Sequence, residues 1–285
     1  MLAAVDSRHA CSYRAALSTM NACLRGSEVH ACRHRGPHVN IGLRAHMPKV
    51  HVLTNRMHAD PNRLADAVAV VVDIVFATTS IAIALERGAR DVVPMIDPEA
   101  ARLFAGTLPP GSFVLAGEQD GSLLPGFTEP WPSVLLRREL SGKRLVYSTT
   151  NGTVALRMVA NSGLVLATAL VNASAVARYV CEKHDGRDIV LICAGTGSGF
   201  SLEDFYGAGY FVSLLVDSGI DFRLTDAARA AQLVHDRGGK IDCIQETYAG
   251  RSVAALGLSA DLALCGEKSI FSAVPVFREG RITRV

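Results

Sequence analysis

Val70-Val71-Val72-Asp73-Ile74-Val75-Phe76-Ala77-Thr78-Thr79 is an apolar run interrupted only by one acid and closed by small hydroxyl residues. A short β-branched run bounded in this way reads as a buried strand, and the residues from Thr79 onward read as a helix. The pattern returns at Leu145-Val146-Tyr147-Ser148-Thr149-Thr150-Asn151-Gly152. It returns again from Ile189 to Cys193, which passes through Ala194-Gly195-Thr196-Gly197-Ser198-Gly199-Phe200 to Ser201-Leu202-Glu203-Asp204. Each is a strand running into a helix start, where unpaired backbone N–H groups and a partial positive charge offer an anion site. Three such junctions predict a convergent pocket for a phosphorylated or multiply acidic small molecule.

Strand-like runs near 49–53, 68–75, 90–95, 112–116, 144–148, 164–168, 189–193 and 220–222 alternate with helix-like runs. The latter fall near 79–88, 97–106, 152–161, 172–184, 203–218, 225–237 and 250–257. The alternation predicts an α/β fold with a largely parallel sheet covered on both faces. Residues 117–142, rich in Gly and Pro, read as a long loop beside the site or as a connection between two intimate lobes.

Of 285 residues, 49% are hydrophobic and 20% charged, enough for a large core. Formal net charge is +2, but residues 1–46 carry six Arg against Asp6 and Glu28, leaving the remainder slightly acidic. That remainder has no basic stripe for nucleic acid and no apolar run long enough to span a membrane. Seven Cys without a CxxC pair point to free thiols in a reducing cytoplasm. Cys193, ending an apolar strand, reads as a core thiol. Residues 1–46 differ from the rest and read as a disordered extension or a misassigned start, with the domain proper over 47–285. The composition leaves room for a homo-oligomer.

Asp73 inside an apolar strand needs a partner if ionised. A Mg²⁺ ion at the strand end would supply one, and an Asx cap on the following turn is the alternative. Glu203 and Asp204 follow the glycine loop. One can cap the helix with Ser201 and the other can ligate metal or act as a base. Glu118 closes another strand-like run and is a further acidic candidate. The glycines at 195, 197 and 199 fit neither a dinucleotide fingerprint nor a P-loop.

Together these segments resemble the ComB family of 2-phosphosulfolactate phosphatases, Mg²⁺-dependent enzymes linked to coenzyme M biosynthesis. The family's Asp-Val-Leu-Arg-Ala-Thr-Thr box resembles Asp73–Thr79, its Gly-Glu-Arg box resembles Gly117-Glu118-Gln119, and its Ser-Thr-Thr-Asn-Gly-Thr box is intact at Ser148–Thr153. Its Cys-Ala-Gly and Phe-Ser-Leu-Glu-Asp boxes resemble Cys193–Gly195 and Phe200–Asp204, and the similarity runs in order over roughly 47–285. The resemblance implies a three-layer α/β/α fold with a largely parallel or mixed sheet, and a phosphatase acting on a small anionic substrate. Asp73, Glu118, Glu203 and Asp204 are then the catalytic candidates, with Asp73 and Glu203 as metal ligands. Thr78, Thr79, Ser148, Thr149, Thr150, Asn151, Gly152, Gly195, Thr196 and Ser201 would cradle the phosphoryl group.

Two departures stand out: Phe76 and Gln119 occupy the places of the two box arginines. Phe76 and Trp131 would line a more apolar pocket for a less anionic ligand. A different reaction on a small carboxylic acid (lyase, isomerase or cyclase) and a non-catalytic binding role are the competing readings.

Overall fold

The computed structural model describes residues 47–238 and 242–285, so the expected 1–46 extension lies outside the described residues. The central strand β2 (Val68–Val72) is buried along its whole length between β8 (Ile189–Cys193) and β7 (Leu164–Thr168), parallel to both. Beyond β8 follow β1 (Lys49–Leu53) and β9 (Arg223–Leu224), completing one parallel half-sheet. A second parallel set comprises β3 (Asp91–Met95), β6 (Arg144–Ser148) and β4 (Phe113–Gln119), edged by the antiparallel β5 (Ser122–Leu123). The antiparallel hairpin of β10 (Pro275–Arg278) and β11 (Arg281–Arg284) joins the halves. β10 pairs with β7, and β11 meets β3. The result is a mixed eleven-stranded sheet.

Alternation along β2 divides the core. Val68, Val70 and Val72 belong to a cluster with α5 (Ala173–Lys183), α6 (Leu202–Asp217) and α7 (Asp226–Arg237). Ala69 and Val71 belong to the opposite cluster, with α1 (Ala77–Glu86), α3 (Pro132–Arg137) and α4 (Gly152–Met158). Period-two side chains on a strand covered on both faces give this split. The helix α2 (Pro98–Gly106) closes a smaller cluster, placing Ala101 with Phe127 and Val146.

The second cluster draws on both half-sheets: Val165 and Ile192 from one, Val92, Val114 and Tyr147 from the other. Between them lies α1, buried from Ala77 through Leu85. A helix apolar all round belongs in an interior, and the small residues of Ala-Thr-Thr-Ser allow close approach. In a flat sheet β6 and β2, five strands apart, would be separated by roughly 24 Å. Yet a Cβ on Gly152, just after β6, would stand 2.5 Å from Asp73 Oδ2, just after β2. The sheet therefore curls around α1 and brings its two parallel sets of strand ends together.

Strand and helix expectations agree with these elements within a few residues for β1, β2, β3, β4, β6, β7 and β8 and for α1, α2 and α4–α7. The run expected at 220–222 forms β9 slightly later, and the helix expected at 250–257 runs as α9 (Tyr248–Ala255). The hairpin was not foreseen, although Val276, Phe277 and Ile282 are buried and Glu279 and Gly280 both adopt positive φ, at 49° and 77°. Two positive φ values are the signature of a tight hairpin turn. Among the described residues no helix is long and apolar enough to cross a membrane.

Phe277, 4% exposed, anchors the hairpin in the α1-side cluster. Phe277→Ala is expected to cost about 3–5 kcal/mol of stability, measured by urea denaturation, because truncating a buried aromatic leaves a cavity.

Candidate active site

The curl gathers the strand ends of β2, β4, β6 and β8 around one cavity of about 510 Å³. Asp73, Phe76, Glu118, Trp131, Thr149, Thr150, Asn151, Gly195, Thr196, Ser201, Glu203 and Asp204 all line it. Three segments distant in the chain therefore do converge. Asn151 Oδ1 accepts the Gly197 N–H at 3.2 Å, linking the second loop to the third.

The four acidic side chains occupy different situations. Asp204 accepts the Ile74 N–H on Oδ1 at 2.9 Å and the Gly195 N–H on Oδ2 at 3.1 Å, so it ties α6 to the ends of β2 and β8. Glu118 accepts the Thr150 N–H at 2.7 Å on one oxygen. Its other oxygen accepts the Gly121 N–H at 2.8 Å and the Thr150 hydroxyl at 3.0 Å. Asp73 uses Oδ1 for the Ala77 N–H at 3.3 Å, the Asx-type cap of α1, and directs Oδ2 towards Gly152. Glu203 is 4% exposed and its carboxylate accepts no hydrogen bond from any described residue.

These charges crowd one another. Burial first, and then the nearby Glu118 and Glu203, push Asp73 up to about 7, although the Ala77 N–H and Arg56 pull the other way. Burial, reinforced by Asp73 and Glu203, likewise holds Asp204 well above the usual carboxylate range. Among the described residues no Lys, Arg or His lines the cavity.

A divalent cation would relieve this crowding, and the donors suit it. Mg²⁺ is commonly held by one or two carboxylates, with water and substrate phosphate completing its shell. Asp73 Oδ2 and the Glu203 carboxylate are two such hard donors. Among the described residues no three His, Cys, Asp or Glu side chains form a cage.

Four residues expected in the cradle lie elsewhere. Thr78 spends its hydroxyl on the Asp73 carbonyl at 2.7 Å and Thr79 on the Ile74 carbonyl at 2.8 Å. Both are wholly buried and lock the turn between β2 and α1, as small hydroxyl side chains do at helix starts. Ser148 is buried within β6, and Gly152 provides the room by which α4 reaches Asp73 and Ala77. Within the cavity Thr149 and Thr150 are also engaged, the first with Thr153, the second with Glu118 and the Asp120 N–H. Cys193 is buried and its thiol is pushed up by burial, as a core position requires.

Two supporting residues were missed. Asn55 donates to the carbonyls of Gly197 and Gly199 at 3.2 and 2.6 Å. Arg56 Nη1 donates to those of Ala194 and Gly197 at 2.6 and 3.1 Å. They fix the glycine loop, whose Gly195 has φ +74° and packs against Asn55. Thr54-Asn55-Arg56 is itself a strand end turning into polar residues, the same signal as the three junctions in a shorter form. The wall formed by Tyr248, Val253, Leu256 and Leu258, on and just after α9, was likewise unforeseen as part of the site.

A mixed sheet that closes an acidic, loop-rimmed cavity at its strand ends is the frame of a small-molecule enzyme. Comparison with known proteins makes the class specific. The family model of 2-phosphosulpholactate phosphatase matches residues 53–280. Similar proteins named probable 2-phosphosulfolactate phosphatase include one from Clostridium beijerinckii, 30% identical over 82% of this chain and 99% of its own length. Another from Symbiobacterium thermophilum is 34% identical over 77% and 94%, and one from Deinococcus radiodurans is 35% identical over 75% and 88%. The chain belongs to this family of phosphoric monoester hydrolases.

Because folding raises the Asp73 pKa, the metal-free protein keeps the full benefit of a neutral Asp73 only below about pH 4. It loses that benefit as pH rises towards 7. Asp73→Asn removes the penalty. In the presence of a chelator it is expected to raise stability at pH 8 by roughly 2–4 kcal/mol over the parent, with little difference at pH 4. Thermal melts at the two pH values check this.

Proposed function

We propose that the protein is a Mg²⁺-dependent phosphatase that hydrolyses the phosphate ester of a small hydroxy acid, of the kind named for its relatives. The observation that supports it most is that Asp73 and Glu203 line one cavity, near enough for Glu203 to raise the Asp73 pKa. Both face one cavity, both are nearly buried, and no basic side chain among the described residues lines that cavity.

Bound between these two carboxylates, Mg²⁺ would neutralise phosphoryl oxygens and supply an activated water. The remaining work falls to the chain itself. Asp204 and Glu118 act as positioning residues, since their oxygens are occupied by backbone N–H groups of the surrounding loops. Asn151, Thr196 and Ser201 present neutral donors to the cavity and would orient the ester for in-line attack. Asn151, held through its Oδ1 by Gly197, keeps its amide N–H groups for the ligand. Ser201 accepts the Asp204 N–H at 3.3 Å, which leaves its hydroxyl hydrogen free to donate.

Phosphate release from a panel of phosphorylated hydroxy acids, with and without Mg²⁺, tests the reading; absence of turnover throughout would refute it. Glu203→Gln is expected to lower kcat by about a hundredfold or more, since it removes a fixed charge at the reacting centre. The parent is expected to show a Mg²⁺-induced rise in Tm, and the same variant is expected to lose it.

A further inference from the structure

The cavity lining is of two unlike kinds. One is acidic, with the carboxyl groups of Asp73, Glu118, Asp120, Glu203 and Asp204. The other is apolar and aromatic. Phe76 and Trp131 meet edge to face with ring centroids 5.6 Å apart. Tyr248, Val253, Leu256 and Leu258 line the same cavity. Tyr248 is 70% exposed and Leu256 59%.

Charge decides what these rings can take. The two positive charges of one divalent cation are already matched by Asp73 and Glu203 before the phosphate adds its own negative charge. Glu118, Asp120 and any further anion on the substrate then have no cation among the described lining residues. Arg56, whose charge acts on Asp73, is 9% exposed and gives Nη1 to two loop carbonyls. A carboxylate can be met by the neutral donors of Asn151, Thr196 and Ser201. A second strong anion on the side arm would lie against the rings of Phe76 and Trp131, with no cation among the described lining residues to pair it.

Resting on the phosphatase reading, we propose that the substrate is a phosphorylated hydroxy acid whose side arm is aromatic or branched and apolar, seated on Phe76 and Trp131. The aromatic pair provides edge and face contacts for such an arm.

Trp131 is the only tryptophan of the 285 residues, so its fluorescence reports occupancy without turnover. The Mg²⁺-loaded protein is titrated with the phosphate ester of phenyllactate and separately with 2-phosphosulfolactate. Phosphate release from both is assayed in parallel. The phenyllactate ester is expected to bind at least about tenfold more tightly, equivalent to 1.4 kcal/mol. Phe76→Arg is expected to narrow or reverse that order, and Trp131→Ala to lower kcat/KM selectively for the aryl ester. Tighter binding of the sulfonate ester, or equal affinity of the two (including no quenching by either), overturns the proposal. Aryl-selective binding without phosphate release from any ester leaves the side-arm assignment standing and refutes the phosphatase reading alone.

Discussion

The architecture depends on one close approach. Where α4 begins, Gly152 lies against both Ala77 and Asp73, and no larger residue fits there without displacing one of them. This contact is where the curled sheet completes its turn. It holds the strand ends of one parallel set within reach of the other, with α1 filling the space between. Because the interior of a protein is as dense as a crystal, a shift of even one methyl group at such a point propagates. Asp73, which rests beside Gly152, also lines the cavity, so the packing constraint and the candidate chemistry share a residue.

The acidic groups divide into those that hold the loops and those left over. Asp204 and Glu118 are saturated by backbone donors and fix the loops after β2, β6 and β8. Asp73 and Glu203 keep unsatisfied oxygens in a buried, mutually repelling pair. A fold that tolerates this arrangement without a cation gives up stability at neutral pH, a familiar trade at functional sites. The neutral donors around the rim add directionality without adding charge.

Much of this was legible in the sequence because the strongest signals are local. The run Val68–Val72 and its kin are too apolar to be anything but interior strands, and each small-residue junction contributes some residues to the cavity lining. Individual roles were less legible. Thr78 and Thr79 read equally well as ligand contacts or as turn locks, since a hydroxyl bonding its own backbone uses the same residue types as one bonding phosphate. The hairpin at Pro275–Arg284 escaped notice because its turn, Glu279-Gly280, lacks the usual Asn or Asp and its strands are only four residues each. For Asn55 and Arg56 the short strand end at Thr54 was the only local signal, because their partners lie some 140 positions away and no periodicity encodes a contact of that separation.

The position of that hairpin along the polypeptide has a consequence for biosynthesis. Every residue that lines the cavity leaves the ribosome before residues 275–284, which alone connect β7 to β3 across the sheet. Until that ribbon is inserted, the nascent chain holds two parallel sets of strands without the pairing that joins them, although β2 and β8, which lead to Asp73 and Glu203, are already neighbours.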